Sequence, residues 1–182
     1  MRIGEKCALQ WQDIDFKNKL LKVRGTLVYL RDDKKRFKDS PKTSKNTRDI
    51  PMLDNVEQLL KKRKKNQLQS IILLGDKWKT EDSLKDIVFT YDTGGAMWLS
   101  AIRVDMKKIV DKINDADIEF EKITPHTFRH TFATRGLERG IPSKVMQTIL
   151  GHTSLAMTMD LYSHVLPNTK AEEMQKLSGL FK

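Results

Sequence analysis

Between Pro125 and Tyr162 helix start and stop signals follow one another so closely that only short helices can form. Pro125 suits a first helical turn, where the N–H that proline lacks would have no partner in any case. Thr127-Phe128-Arg129-His130-Thr131-Phe132-Ala133-Thr134-Arg135 continues that helix. Gly140-Ile141-Pro142-Ser143 then breaks it and caps a second helix. There Val145, Met146, Ile149 and Leu150 give an i, i+1, i+4, i+5 apolar stripe. Gly151 ends this helix and leaves His152 at its C-terminal edge. A third short helix, from about Ser154, delivers Tyr162.

The chemistry-bearing residues gather in the same stretch. A spacing of three places His126 and Arg129 on one helical face. A planar cation, two imidazoles and a phenol suit a negatively charged, tetrahedral reacting centre. Arginine binds two phosphate oxygens at once and keeps its charge at any working pH. Histidine donates to a further oxygen or moves a proton near neutrality. A tyrosine phenol, with an ordinary pKa of about 10, needs strong neighbouring positive charge to attack as the phenolate. His126 and His130 stand four apart, as zinc-binding histidines do, but Thr127 occupies the place of the glutamate in His-Glu-x-x-His. His130 reads instead as a buried or capping histidine, and His164 as a packing residue. An isolated Tyr162 would also read as packing; His126, Arg129 and His152 ahead of it make it the candidate nucleophile.

A length of 182 residues, 38% hydrophobic and 32% charged, fits one globular domain with an ample core. A net charge of +10 favours a polyanionic partner. Cys7, the single cysteine, excludes an internal disulfide and reads as a small buried apolar residue on the first helix. No apolar run reaches membrane-spanning length and no signal peptide is evident, so an intracellular, cytoplasmic chain without membrane contact is expected.

Ahead of these helices, Met1 to Asp15 reads as a short helix and a turn, with Ile3, Cys7, Leu9 and Trp11 toward the core. Lys19 to Arg31 reads as β structure with a bend at Gly25. A lysine-rich loop (Lys34, Lys35, Arg36, Lys38) follows, and then a short strand over Arg48-Asp49-Ile50-Pro51. Asp54 caps a helix to about Leu68, with Val56, Leu59, Leu60 and Leu68 inward. Its Lys61 to Lys65 run is either a solvated face or a contact to DNA backbone. Ile71 to Asp86 reads as an irregular connector, Asp86 to Tyr91 as a strand, and Asp92-Thr93-Gly94-Gly95 as a turn. Trp98 or Leu99 opens a helix with Ile102, Met106, Ile109, Val110 and Ile113 buried. After Tyr162, Pro167 ends the helix and an amphipathic tail carries Ala171, Met174, Leu177 and Phe181 on one face. The sum is an α+β, mostly helical domain with a small antiparallel β-sheet near its N-terminus.

His126-x-x-Arg129, Leu150-Gly151-His152 and Tyr162-Ser163-His164-Val165, in this order, resemble the tyrosine recombinase (phage-type integrase) family. Two further stretches carry the resemblance. Arg2-Ile3-Gly4-Glu5, continuing into Leu9-Gln10-Trp11-Gln12-Asp13-Ile14-Asp15, is similar to the family's first arginine motif, which makes Arg2 the partner of Arg129. Glu5 is expected to orient Arg2 or a neighbouring turn. Pro41-Lys42-Thr43 with Arg48-Asp49-Ile50-Pro51 resembles the hairpin that carries the family's general acid, implying Lys42, with Lys45 as the second candidate. The resemblance implies site-specific exchange of double-stranded DNA through a 3′-phosphotyrosyl link, without cofactor or metal, by four protomers on two duplexes. It further implies a catalytic domain over residues 1–182, with the upstream arm-binding and core-binding domains missing, and hence a monomer. A DNA-binding remnant that no longer cleaves and a type IB topoisomerase-like activity are the alternatives.

Overall fold

The structure is a computed structural model that describes residues 1–30, 35–39 and 47–163. Lys42, Lys45, His164 and the expected tail helix lie outside the described residues. The chain is α+β and mostly helical, in two compact units, residues 1–126 and 127–182. Among the described residues no helix is long and apolar enough to cross a membrane.

The first unit opens with helix α1 (Ile3–Cys7). Strands β1 (Ile14–Asp15), β2 (Leu20–Val23) and β5 (Arg48–Pro51) form an antiparallel sheet in the order β1-β2-β5. Gly25 lies where the chain leaves this sheet, because β3 (Thr26–Leu30) pairs only with β4 (Lys35–Asp39), Thr26 opposite Asp39 and Leu30 opposite Lys35. Lys35 to Asp39, expected as loop, is therefore a strand. Its charge does not oppose pairing, since charged residues are common on short edge strands. Gly4 permits α1 to approach β3, since a Cβ there would stand 2.4 Å from Thr26 Oγ1.

Helix α2 runs from Asp54 to Leu74, past the expected end at Leu68, because the first stop signal is Gly75 at φ +50°. Leu53, not Asp54, is its N-cap residue. Its inward row is Val56, Leu60, Arg63 and Gln67, in steps of four, three and four. Leu59 and Leu68 lie off that row and are 65% and 52% exposed. The lysine run is not a uniform solvated face: Lys61 pairs with Glu57 at 2.6 Å, and the Lys64 ammonium stands 5.5 Å from the centre of the Trp11 ring.

Arg63 turns inward. Its Nε donates to the Val88 carbonyl at 3.1 Å and Nη2 to that of Thr90 at 3.1 Å. Gln67 donates to the Ile87 carbonyl at 2.9 Å and accepts from Trp11 Nε1 at 2.7 Å. Residues 86–91, expected as a strand, instead form a bent segment that starts from Asp86 at φ 62° and has, among the described residues, isolated bridges from Gln10 to Ile87 and from Thr90 to Ala96. The core of this unit is Leu9, Ile14, Met52, Leu60 and Val88, with a second cluster of Leu84, Ile87 and Ala96. Cys7 is buried on α1 as expected. Helix α3 (Leu99–Asn114) buries Val110 and half-buries Ile102, Met106 and Ile113, while Ile109 is exposed.

The second unit contains α4 (Pro125–Glu138), which starts at the unit boundary, then α5 (Ser143–Leu150) and α6 (Ala156–Ser163). Gly140 at φ +80° turns the chain between α4 and α5, and Pro142 rather than Ser143 is the N-cap residue of α5. Ala133, Leu137, Met146 and Leu150 form the core, and Val145 falls outside the expected stripe at 48% exposure. Met146→Ala is expected to cost about 2–5 kcal/mol as a buried truncation, and Val145→Ala no more than about 0.5 kcal/mol. Urea unfolding of the two variants checks which residues the helix buries.

Candidate active site

In the second unit the Leu-Gly-His turn is built by three residues with different tasks. The Leu150 side chain is 1% exposed and anchors α5 in the core, while its carbonyl accepts from Arg129 Nη2 at 2.6 Å. Carbonyls in the last turn of a helix have no intrahelical donor and sit at the negative end of the helix dipole, so a buried guanidinium is a favourable partner. Gly151 takes the left-handed conformation, φ 67° and ψ 46°, that lets the chain turn sharply here. Its N–H donates to the Gln147 and Thr148 carbonyls at 2.9 and 3.1 Å.

His152 follows and is held on both sides of its peptide by Gln147. The His152 N–H donates to the Gln147 carbonyl at 3.1 Å, and Gln147 Nε2 donates to the His152 carbonyl at 3.2 Å. The ring is fixed as well: Nδ1 lies 2.8 Å from the hydroxyl of Thr158, which is fully buried on α6. Tyr162 stands four residues further along α6, one helical turn on. Arg129, Leu150, His152 and Thr158 therefore make one connected cluster.

His126 lies in the first turn of α4, three residues before Arg129, and is exposed where Arg129 is buried. His130 is exposed too, which corrects its reading as a buried histidine. Among the described residues no group of three or more His, Cys, Asp or Glu side chains could hold a metal ion.

In the first unit Arg2 precedes α1 with its side chain 45% exposed. Glu5, the third helical residue, is 8% exposed and accepts from the Arg2 backbone N–H at 2.6 Å and from Arg2 Nη1 at 3.4 Å. Its principal partner is a different residue. Arg48, 9% exposed at the start of β5, donates Nη1 to Glu5 Oε1 at 3.1 Å and Nη2 to Oε2 at 2.7 Å. Burial pushes the Glu5 carboxyl pKa up, but the hydrogen bonds from Arg48 and from the Arg2 backbone, with the field of Arg48, hold it below its ordinary value.

The phage integrase family matches residues 1–169. The chain belongs to that family. Its relatives include the tyrosine recombinase XerC-like protein of Caldanaerobacter subterraneus subsp. tengcongensis, 32% identical over 188 residues. That match spans all of this chain and 46% of the relative. The transposase from transposon Tn916 of Enterococcus faecalis is 31% identical over 180 residues, 98% of this chain and 42% of the transposase. Among solved structures, the Tn1549 transposon integrase in complex with transposon right end DNA superposes with a TM-score of 0.84 at 29% identity. It covers 98% of this chain and 55% of the integrase. This phage integrase chain spans about half the length of the curated relatives it matches.

Arg48 and Thr158 are the two site residues that motif reading does not bring out. Arg48 lies inside the Arg-x-Ile-Pro stretch, and a second charge within a four-residue strand is its only sequence signal. Thr158 has none beyond standing one turn before Tyr162.

Two outcomes follow for this family member. Gly151→Ala is expected to cost about 1–2 kcal/mol, because any Cβ is strained in the left-handed region, with Gly151→Asn losing less; thermal unfolding reads both. Glu5 has a depressed pKa in the fold, so its contribution is fully present above the ordinary value of 4.5 and is lost as pH falls below it. Urea midpoints measured against pH should fall more steeply below 4.5 in the parent chain than in Glu5→Gln.

Proposed function

We propose that this chain is the catalytic domain of a site-specific DNA recombinase, cytoplasmic and DNA-associated, that integrates or excises a mobile element. The observation that carries the reading is the Arg129-Leu150-His152-Thr158 cluster, which fixes a guanidinium to the end of α5 and the following imidazole to α6, the helix that carries Tyr162. The Tn916 transposase among its relatives and the Tn1549 integrase bound to transposon DNA support the mobile-element assignment.

The Tyr162 phenolate attacks a phosphodiester of double-stranded DNA. The new bond joins its oxygen to phosphorus, the bond from phosphorus to the 5′ oxygen breaks, and Lys42 supplies the proton that makes this oxygen a hydroxyl. Arg2 and Arg129 hold the non-bridging oxygens and balance the charge that develops on them. His126 donates a hydrogen bond to the same phosphate, and His152, with Nδ1 engaged by Thr158, accepts the tyrosine proton on Nε2. Attack by the 5′-hydroxyl of another strand reverses these steps. One phosphodiester replaces another, so no nucleotide hydrolysis is required, and the arginines supply the charge a metal would otherwise bring. Complete exchange engages four protomers on two duplexes.

The test is trapping on a nicked suicide duplex that carries the native recombination site, read on a denaturing gel. The parent chain should form a covalent adduct and Tyr162→Phe none. Thr158→Val, similar in shape but unable to hold the imidazole, should slow adduct formation about tenfold or more. Salt-sensitive DNA binding with no adduct from the parent would instead make the chain a non-cleaving binding remnant. Relaxation of supercoiled plasmid without exchange would point to topoisomerase-like chemistry.

A further inference from the structure

One residue grips the chain on either side of the His152 Cα. The His152 N–H donates to the Gln147 carbonyl at 3.1 Å, and the His152 carbonyl accepts from Gln147 Nε2 at 3.2 Å. The first is a helix-end bond that any residue at position 147 can make with its backbone. The second needs a side-chain N–H of the right reach, so the identity of residue 147 acts on His152 through that bond. One orientation of the amide suits its surroundings. Lys144 Nζ donates to Gln147 Oε1 at 3.0 Å, and an ammonium can only donate. The amide oxygen therefore faces Lys144, and the nitrogen faces the His152 carbonyl, which can only accept.

We infer that Gln147 is a positioning residue for the imidazole of His152, with Lys144 orienting its amide. The inference rests on the reading that His152 accepts the tyrosine proton. The two soft dihedrals of a residue, φ and ψ, orient its Cα–Cβ bond relative to the chain around it. Bonds to the N–H and the carbonyl of His152 restrain both, and Thr158 restrains the ring from its Nδ1 side. The two restraints differ in kind. Gln147 sets where the side chain starts, and Thr158 sets how the ring turns about it. Gln147 belongs to α5 and Thr158 to α6, so the imidazole is held in register with both helices, and α6 carries Tyr162. A proton passes only across hydrogen-bond distance, so a small turn of the His152 peptide lengthens the path from the phenol to Nε2.

The experiment measures adduct formation on the suicide duplex for Gln147→Met, Gln147→Glu and His152→Ala, and for Gln147→Met placed in the His152→Ala chain. Rates are taken per folded molecule, at saturating protein. Gln147→Met keeps the length of the side chain without its donor, and Gln147→Glu keeps its shape and its partner Lys144 without an N–H to give. Each should slow adduct formation about tenfold, while DNA affinity stays at the parent's level. In the His152→Ala chain, Gln147→Met should cause no further loss, since a residue that acts through the imidazole has nothing left to place. Parent-like rates in both Gln147 variants overturn the proposal. Equal slowing by Gln147→Met with and without His152 assigns Gln147 to the stability of the turn and overturns the positioning role alone. A His152→Ala chain as fast as the parent overturns the reading beneath it. Where adduct forms too slowly for these comparisons, the ring nitrogens of His152 are followed by NMR in the free chain. They should report one dominant tautomer in the parent and move toward the mixture of free histidine in both Gln147 variants. Identical ring shifts in all three chains overturn the proposal.

Discussion

Glu5 and Arg48 are 43 residues apart in sequence, and their two hydrogen bonds join the first helix to the last strand of the three-stranded sheet. Removing two charges from water costs several kcal/mol per ion, so such a pair persists only where geometry and further donors offset the loss. Here they do, since the two carboxylate oxygens accept four hydrogen bonds between them. The pair sets where β5 begins, and β5 in turn pairs along β2 from Val23 opposite Arg48 to Leu20 opposite Pro51. Gly4 completes the arrangement, because a Cβ at that position would stand 2.4 Å from Thr26 Oγ1 and displace that hydroxyl from its place between α1 and β3. The Arg-Ile-Gly-Glu stretch therefore has a packing reason for its glycine and an electrostatic reason for its glutamate.

The second unit solves a different problem with fewer residues. A short helix ends, and its last carbonyl meets a cation from a preceding helix rather than solvent. Burial of Met146 and Leu150 one turn apart anchors the helix end, so the turn through Gly151 begins from a fixed point. Placement of His152 then follows from backbone bonds to Gln147 and one side-chain bond to Thr158. Precision at the imidazole comes from the helix terminus and not from contacts made by the histidine alone.

Much of this was legible in residue order. Proline and glycine punctuation marked α4 and α5 to within about two residues, because these residues restrict or extend backbone dihedrals whatever surrounds them. The stripe of α3 and the burial of Cys7 could be read in the same way. Errors arose where tertiary contacts decide. Leu59, Leu68, Ile109 and Val145 are apolar and close to a buried row, but burial depends on which face meets the core, and a polar Gln67 took the place that Leu68 was expected to fill. Lys35 to Asp39 pairs as a strand despite its charge because β3 offers an open edge. At the site, the histidines and Arg129 stand out by type, whereas Arg48 and Thr158 act through other residues and leave little trace in a single sequence.

The segment at residues 85–90 shows what the inward turn of α2 achieves. Its carbonyls accept in succession from Gln10 Nε2, the Trp11 N–H, Gln67, Arg63, the Met97 N–H and Arg63 again. Ile87-Val88-Phe89 is the kind of apolar, β-prone run that recruits strands from other molecules when its backbone is open. Side chains of one helix have taken three of the acceptors that an incoming strand would need, at Ile87, Val88 and Thr90. Arg63 and Gln67 thus serve as a guard against intermolecular β-pairing, a safeguard against self-association written into a helix rather than into the vulnerable segment itself.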